Sequence, residues 1–351
     1  MGPVLFVCDA GPLIGGGHVM RCLTLAWALQ DRGARCVFLQ TPAAAPILAA
    51  FSAGEVAGVP AAGGDAADLA SAAEERLADG WEGSPFAGAV VDHYGFDARL
   101  DARLRAPSRP LLVLEDRAAR PRSADLLLDA SFGRAPEDYA SPSLKDAQLL
   151  LGPAYALVRP EFAAARAQAP LPRDVDRPVR RVLVSLGLTD VGGVTAEVLR
   201  LILTASPSME LIPVVGGAAP SLPELRRLAA GNPRLRLRID ATDMAALMAE
   251  ADVAVGAGGS STWERACLGL PSLSLVLADN QEAQASGLAA AGATLAIDHR
   301  ADDFPDRFRA AWDALVTDAP LRLRLSQTSA ALCDGRGAER VAEAFSRSMA
   351  A

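Results

Sequence analysis

Along the chain, short unbroken runs of Val, Leu, Ile and Ala alternate with longer stretches in which apolar residues are spaced among Arg, Asp and Glu. The runs fall at 4–8, 36–39, 89–91, 111–114, 126–128 and 149–151, and again at 181–185, 211–215, 235–238, 253–255, 273–276 and 294–297. A parallel strand shows such a run when helices cover both faces of its sheet. Two blocks of six runs, interleaved with helix-length segments, therefore predict an α/β chain of two doubly wound, Rossmann-like domains. Residues 163–180 carry prolines and charges but no apolar run, and are the expected connection. The expected boundaries are 1–165 for the first domain and 166–337 for the second. The tail 338–348 is amphipathic at helical spacing. Residues 181–187 (RVLVSLG) repeat the strand-into-loop opening of 4–9, so the halves are expected to share one fold with a cleft between them.

Composition narrows the chemistry. The chain has 351 residues, 51% hydrophobic and 22% charged, with a formal net charge of -8. That balance fits large cores and argues against disorder. It also speaks against a nucleic-acid or anionic-membrane partner, both of which need a basic face. Lys145 is the one lysine, which excludes a Walker A loop and disfavours Schiff-base chemistry. Five scattered cysteines (Cys8, Cys22, Cys36, Cys267, Cys333) form no C-x-x-C pair and are expected to be buried thiols in a reducing compartment. No apolar stretch is long enough for a membrane span and the first residues do not read as a signal peptide, so a cytoplasmic protein is expected. The three histidines are far apart in sequence, and no metal or other cofactor is expected.

Four motifs carry candidate chemistry. Gly15, Gly16 and Gly17 follow the first strand and lead into a helix, placing His18 at its N-terminus. Backbone N–H groups and the positive dipole end favour an anion there, and should keep the imidazole neutral and able to accept a proton. The loop lacks the G-x-G-x-x-G fingerprint, because Met20 occupies the third glycine position, which disfavours a dehydrogenase. Asp92, His93 and Tyr94 end another strand in the same half. Tyr94 is expected to bind a water or polarise His18, whereas His93 is expected to be structural. Glu115, Asp116 and Arg117 close the next strand, where a cap or an ion pair is expected.

The richest motif is 256–265 (GAGGSSTWER). Gly258 and Gly259 leave room for a close ligand, Ser260, Ser261 and Thr262 offer hydroxyls, and Glu264 can accept from a ribose diol. The combination suits a diphosphate; the competing explanation is a capping box in which Ser261 pairs with Glu264. Finally, Asn280 and Gln281 in ADNQ carry the donors and acceptors that sugar hydroxyls or acetamido groups require, while Asp279 or Asn280 could equally cap a helix.

Taken in order, GGGHVMRCLTLA (15–26), VDHYG (91–95), YALVRPEF (155–162), GAGGSSTWERACLGLPSL (256–273) and ADNQ (278–281) resemble the PseG family of UDP-sugar hydrolases, related in fold to MurG and other GT-B glycosyltransferases. The resemblance implies a GT-B fold with two Rossmann-like domains facing a central cleft and a C-terminal helix, 338–349, packed back on the first domain. It implies action on UDP-2,4-diacetamido-2,4,6-trideoxy-β-L-altropyranose in pseudaminic acid biosynthesis; a monomer with no nucleic-acid or membrane partner is expected. UDP would leave by inverting water attack at the anomeric carbon, with no metal. His18 matches the family's general base and Tyr94 its supporting tyrosine. Arg159 and Glu264 match substrate-binding residues, joined in the implied substrate site by Gly15, Gly16, Gly17, Arg21, Gly187, Gly258, Gly259, Ser260, Ser261, Thr262, Asn280 and Gln281. One departure is Leu188, where relatives usually have a second glycine, which bears on sugar specificity. The alternatives are a glycosyltransferase of the same fold with a sugar or lipid acceptor, and a UDP-sugar sensor without turnover.

Overall fold

The structure is a computed structural model, and it describes residues 2–11, 14–52, 54–62, 65–106, 109–118, 120–169 and 171–350. Pro12 and Leu13, expected in the loop before His18, lie outside the described residues. The chain divides into two compact units, 1–157 with 336–351, and 158–335.

In the first unit the strands are β1 (Pro3–Cys8), β2 (Arg35–Gln40), β3 (Ala57–Pro60), β4 (Gly88–Asp92), β5 (Leu111–Leu114), β6 (Leu126–Asp129) and β7 (Gln148–Leu151). They form one parallel sheet in the order β3-β2-β1-β4-β5-β6-β7. The six runs of the first half are thus seven strands. The unanticipated one, β3, reads AGVP and lies at the sheet edge, only half-buried, so it needs no apolar run. Gly58 admits it there: a Cβ would stand 1.8 Å from the Gln40 side-chain amide nitrogen.

Alternation along β1 sends Val4, Phe6 and Cys8 to one face and Leu5 and Val7 to the other. The first face packs against Val19, Leu23 and Ala26 of the helix Gly17–Gln30 and against Val341 and Phe345 of the C-terminal helix Gly337–Ala350. The second packs against Leu69, Ala73 and Leu77 of the helix Ala66–Asp79. Each such side chain, fully buried, contributes about 1.5–3 kcal/mol. Two glycines seat the C-terminal helix: a Cβ on Gly88 would lie 2.7 Å from the Phe345 ring, and one on Gly337 would lie 2.1 Å from the Ala156 carbonyl oxygen.

The second unit repeats the pattern with β8 (Arg181–Ser185), β9 (Glu210–Val215), β10 (Arg238–Ile239), β11 (Val253–Ala257), β12 (Ser272–Val276) and β13 (Leu295–Asp298), in the order β10-β9-β8-β11-β12-β13. The run at 235–238 is mostly not strand: Leu235 makes a single bridge to Leu211, and only Arg238 and Ile239 join the ladder. This is again a sheet edge, where alternate residues are arginines facing solvent, and Arg236 pairs with Glu210. Val182 and Val184 pack on Val198, Leu199 and Ile202 of the helix Val194–Ala205 and on Phe308 and Trp312 of the helix Phe304–Thr317.

The stretch 163–180, expected as a connection, lies within the second unit and is held down by arginines, two of them half-buried in the stretch itself. Arg166 donates to the carbonyls of Cys267, Ala330 and Cys333. Arg173 donates to those of Met248, Ala251 and Leu268, and Arg322 reaches the carbonyl of Val175. These acceptors are mostly helix C-termini, whose carbonyls lack partners of their own and attract cations. Prolines and charges in this stretch therefore mark a strap, not a free linker.

All five cysteines are free and buried. No helix among the described residues is long and apolar enough to cross a membrane.

Candidate functional site

In a doubly wound sheet, ligands gather beyond the carboxyl ends of the strands, where the strand order reverses. The reversal lies between β1 and β4 in the first unit and between β8 and β11 in the second. The glycine loop before His18, the 92–94 motif, Gly187 and the 256–265 motif follow these four strands, whereas Asn280 and Gln281 follow β12.

In the first unit, the turn after β1 closes when the N–H groups of Ile14 and Gly15 both donate to the Gly11 carbonyl. Gly15 has φ +80, a backbone state that favours glycine. His18 then enters in the first turn of its helix and is buried, 5% exposed. Its Nδ1 stands 2.7 Å from Oδ1 of Asp92, the last residue of β4. Arg21, one turn further along the same helix, clasps the same carboxylate through Nε and Nη2, each at 2.5 Å. Burial works against ionisation of Asp92, but Arg21 and His18 outweigh it and hold the carboxyl well below the usual carboxylate range. An ionised Asp92 can only accept, so the imidazole donates to it from Nδ1, which leaves Nε2 as the nitrogen that can accept a proton. The helix dipole is therefore not alone in acting on His18. Asp92, which sequence reasoning left without a role, both orients the ring and fixes its tautomer.

Tyr94 does not bond the imidazole through its hydroxyl. Its ring packs edge-on against His18, centroids 4.5 Å apart, and its O–H donates to Asp116 at 2.9 Å. Burial and the neighbouring Asp116 push its acidity down, so it stays a phenol. Asp116 also receives Arg21 Nη1 at 3.3 Å, and Arg117 lies over the Tyr94 ring, its guanidinium carbon 4.0 Å from the centroid. Glu115 accepts from the N–H groups of Asp116 and Arg117 and pairs with the fully buried Arg122, which also grips Asp101. Glu115 and Asp116 thus do form the ion pairs expected of them. His93 accepts from the Gly95 N–H through Nδ1 and approaches Asp9 at 3.6 Å. Arg21, expected to touch substrate, is committed to Asp92 and Asp116.

In the second unit, β11 runs into Gly258, Gly259 and Ser260, and the helix Ser261–Cys267 follows. The capping box does not form: the helix has no side-chain cap, and Glu264 Oε1 instead accepts from Arg159 Nε at 2.9 Å. Arg159 is itself buried, paired also with Glu161 and stacked against Phe162. Arg159 thereby positions Glu264, whose Oε2 has no hydrogen bond among the described residues. Arg265 turns back beneath the loop to bond Ser261, Thr262 and the Ala257 carbonyl.

Asp279 and Asn280 do not cap the next helix, Asp279–Ala290; its cap is Ala278, and Asp279 pairs with Arg300. Gln281 folds back to accept the Leu277 N–H, and Gln284, missed from the sequence, donates to the Gly258 carbonyl at 3.0 Å. A Cβ on Gly258 would lie 3.3 Å from Gln281 Cβ. The structure therefore brings Gly258 and Gly259 to the start of the helix that bears Asn280 and Gln281. Gly187, with φ +105, opens the loop after β8, and a Cβ there would meet nothing within 4 Å. In that loop the Leu188 carbonyl accepts the Gly216 N–H.

Two parallel, doubly wound units of this order define the GT-B class, and the chain has that fold. No family model matches it. It is 33% identical over 197 residues to the spore coat polysaccharide biosynthesis protein SpsG of Bacillus subtilis (strain 168), covering 54% of this chain and 56% of that protein. The chain thus spans little more than half the length of that relative. It is 23% identical over 290 residues to the UDP-2,4-diacetamido-2,4,6-trideoxy-beta-L-altropyranose hydrolase of Campylobacter jejuni, covering 82% of this chain and 97% of that enzyme. Among solved structures, the MurG of Acinetobacter baumannii superposes with a TM-score of 0.65 at 17% identity, over 99% of this chain and 100% of that one.

Proposed function

We propose that the chain is an enzyme acting on a UDP-sugar, and that it releases UDP from a UDP-2,4-diacetamido-2,4,6-trideoxyhexose by water attack at the anomeric carbon. The observation that carries this reading is the His18–Asp92 contact at the N-terminus of the helix after β1. It is supported by the likeness to the Campylobacter enzyme, which extends over most of both chains.

In this reading His18 Nε2 takes a proton from water as the oxygen approaches the anomeric carbon. The imidazolium that forms is stabilised by Asp92, which Arg21 keeps ionised. General base assistance of this kind supplies about 10²–10⁴-fold. UDP is a stabilised leaving group and needs no strong acid; hydroxyls and N–H groups of the Gly258–Thr262 segment meet the charge that develops on it. Glu264 Oε2 accepts from the ribose diol, and Asn280 and Gln281 recognise the amide-bearing sugar. Water enters opposite the departing UDP, so the sugar emerges with inverted configuration.

The test is incubation with the UDP-sugar and no acceptor, followed by NMR. Release of UDP with the inverted anomer appearing first is the expected result. UDP release that starts only when a sugar or lipid acceptor is added would replace this reading with a glycosyltransferase. Binding without any release would leave a sensor.

A further inference from the structure

Several buried or half-buried arginines among the described residues meet either carboxylates or sets of backbone carbonyls, and Arg265 follows neither pattern. Arg21, Arg122 and Arg159 each face carboxylates. Arg166, Arg173 and Arg322 instead donate to sets of three backbone carbonyls, mostly at helix C-termini. Arg265 is 3% exposed and forms no ion pair among the described residues. Its guanidinium donates to one carbonyl, that of Ala257 at 2.9 Å, and to three neutral hydroxyls, Ser261 at 3.1 Å, Thr262 at 3.1 Å and Ser274 at 3.2 Å. Its Nε is buried without a partner. Burial lowers its pKa to about 10, as it does for Arg173, and the neighbouring Glu264 offsets only part of that. The space it occupies is purpose-shaped, because a Cβ on Gly256 would lie 2.2 Å from Arg265 Nη1.

A buried cation that touches no carboxylate and has only the field of Glu264 is costly, and the cost falls when an anion arrives. We infer that Arg265 is the fixed counter-charge for the diphosphate, a positioning residue that works from beneath the glycine loop. It acts through Ser261. Because Arg265 Nη1 donates to Ser261 Oγ, that oxygen is used as an acceptor, and the hydroxyl proton is left to point elsewhere. The Ser261 hydroxyl makes no other hydrogen bond among the described residues, so its O–H is available to a phosphate oxygen. Thr262 is held differently, donating back to the Ala257 carbonyl at 3.3 Å. The inference rests on the reading of this loop as a diphosphate site.

The experiment is calorimetric titration of the full chain with UDP and with uridine, which lacks the phosphates, using the wild type, Arg265→Met, Arg265→Lys and Ser261→Ala. The wild type binds UDP more tightly than uridine. Arg265→Met loses about tenfold or more in UDP affinity with uridine affinity unchanged, Arg265→Lys recovers part of it, and Ser261→Ala loses severalfold for UDP alone. A merely structural arginine would weaken both ligands together, so equal losses overturn the proposal, as does a folded Arg265→Met with wild-type UDP affinity. If Arg265→Met fails to fold, Ser261→Ala decides: UDP affinity equal to wild type overturns the proposal, and a loss confined to UDP upholds it. A wild type that does not distinguish UDP from uridine removes the diphosphate reading itself, a failure separable from that of Arg265.

Discussion

The loops after β1 and β4 and those after β8 and β11 hold the same topological position in their sheets, yet they treat charge in opposite ways. In the first unit each of these loop acids faces a cation, although Asp116 keeps one buried oxygen without a partner: Asp92 and Asp116 are met by Arg21, Asp92 also by His18, and Glu115 by Arg120 and Arg122. The network closes on itself and holds one imidazole still. In the second unit the buried charge at the switch point, Arg265, is answered only by hydroxyls and a carbonyl. One fold thus supplies two ledges. A self-balanced ledge suits proton transfer, which needs a rigid base; an unbalanced one suits an incoming anion.

The strongest way to break this contrast is His18→Asn. Turnover should fall about 10²–10⁴-fold with UDP affinity unchanged. Parallel loss of UDP binding in a titration would show that the two ledges do not divide the work. Asp92→Asn comes next. It removes the ring's orienting acceptor, and turnover should drop about 10–100-fold. The same substitution has a pH signature. The Asp92 carboxyl is depressed in the folded state, so its pairing stabilises fully above about pH 4, the unfolded value, and is lost as pH falls toward the folded one. Wild-type melting temperature should therefore fall more steeply than that of Asp92→Asn as pH drops below about 4. Identical acid limbs in the two proteins would refute the buried pairing.

On the other ledge, Gly256→Ala forces a methyl group into the Arg265 guanidinium. Overpacking of this kind costs about 1–3 kcal/mol, visible in chemical denaturation, and should weaken UDP while His18 remains seated. A stable variant with unchanged UDP affinity would mean that the placement of Arg265 is immaterial. The smallest effect is expected from Tyr94→Phe. It deletes one hydrogen bond to Asp116, which Arg21 still pairs, and should lower stability by about 1 kcal/mol. A much larger loss of turnover than of stability would assign the phenol a direct part in the chemistry.

Much of this architecture was legible beforehand. The runs at 111–114 and 181–185 coincide with β5 and β8, because a strand covered on both faces must be apolar throughout. Edges read less well for the same reason reversed: half-buried AGVP in β3 carries no apolar mark, and the run expected at 235–238 is a strand only at its end, where arginines alternate toward solvent. His18 and the Gly258–Thr262 segment were visible because glycines and hydroxyls cluster at strand-to-helix turns. The partners of these residues were not. Asp92 and His18 are 74 positions apart, and Arg159 and Glu264 are 105 apart. An S-x-x-E spacing pointed to a local cap that Arg159 in fact displaces.

By itself, then, the sequence determined the two sheets, most of their helices and the glycine-rich turns that join them, because hydrophobic periodicity and turn glycines act over a few residues. Only the tertiary structure decided which carboxylate orients the imidazole, and which arginines meet carboxylates and which do not. Those outcomes depend on distances between residues remote in the chain, and Coulomb and hydrogen-bond energies are set by ångströms in space, not by spacing in sequence.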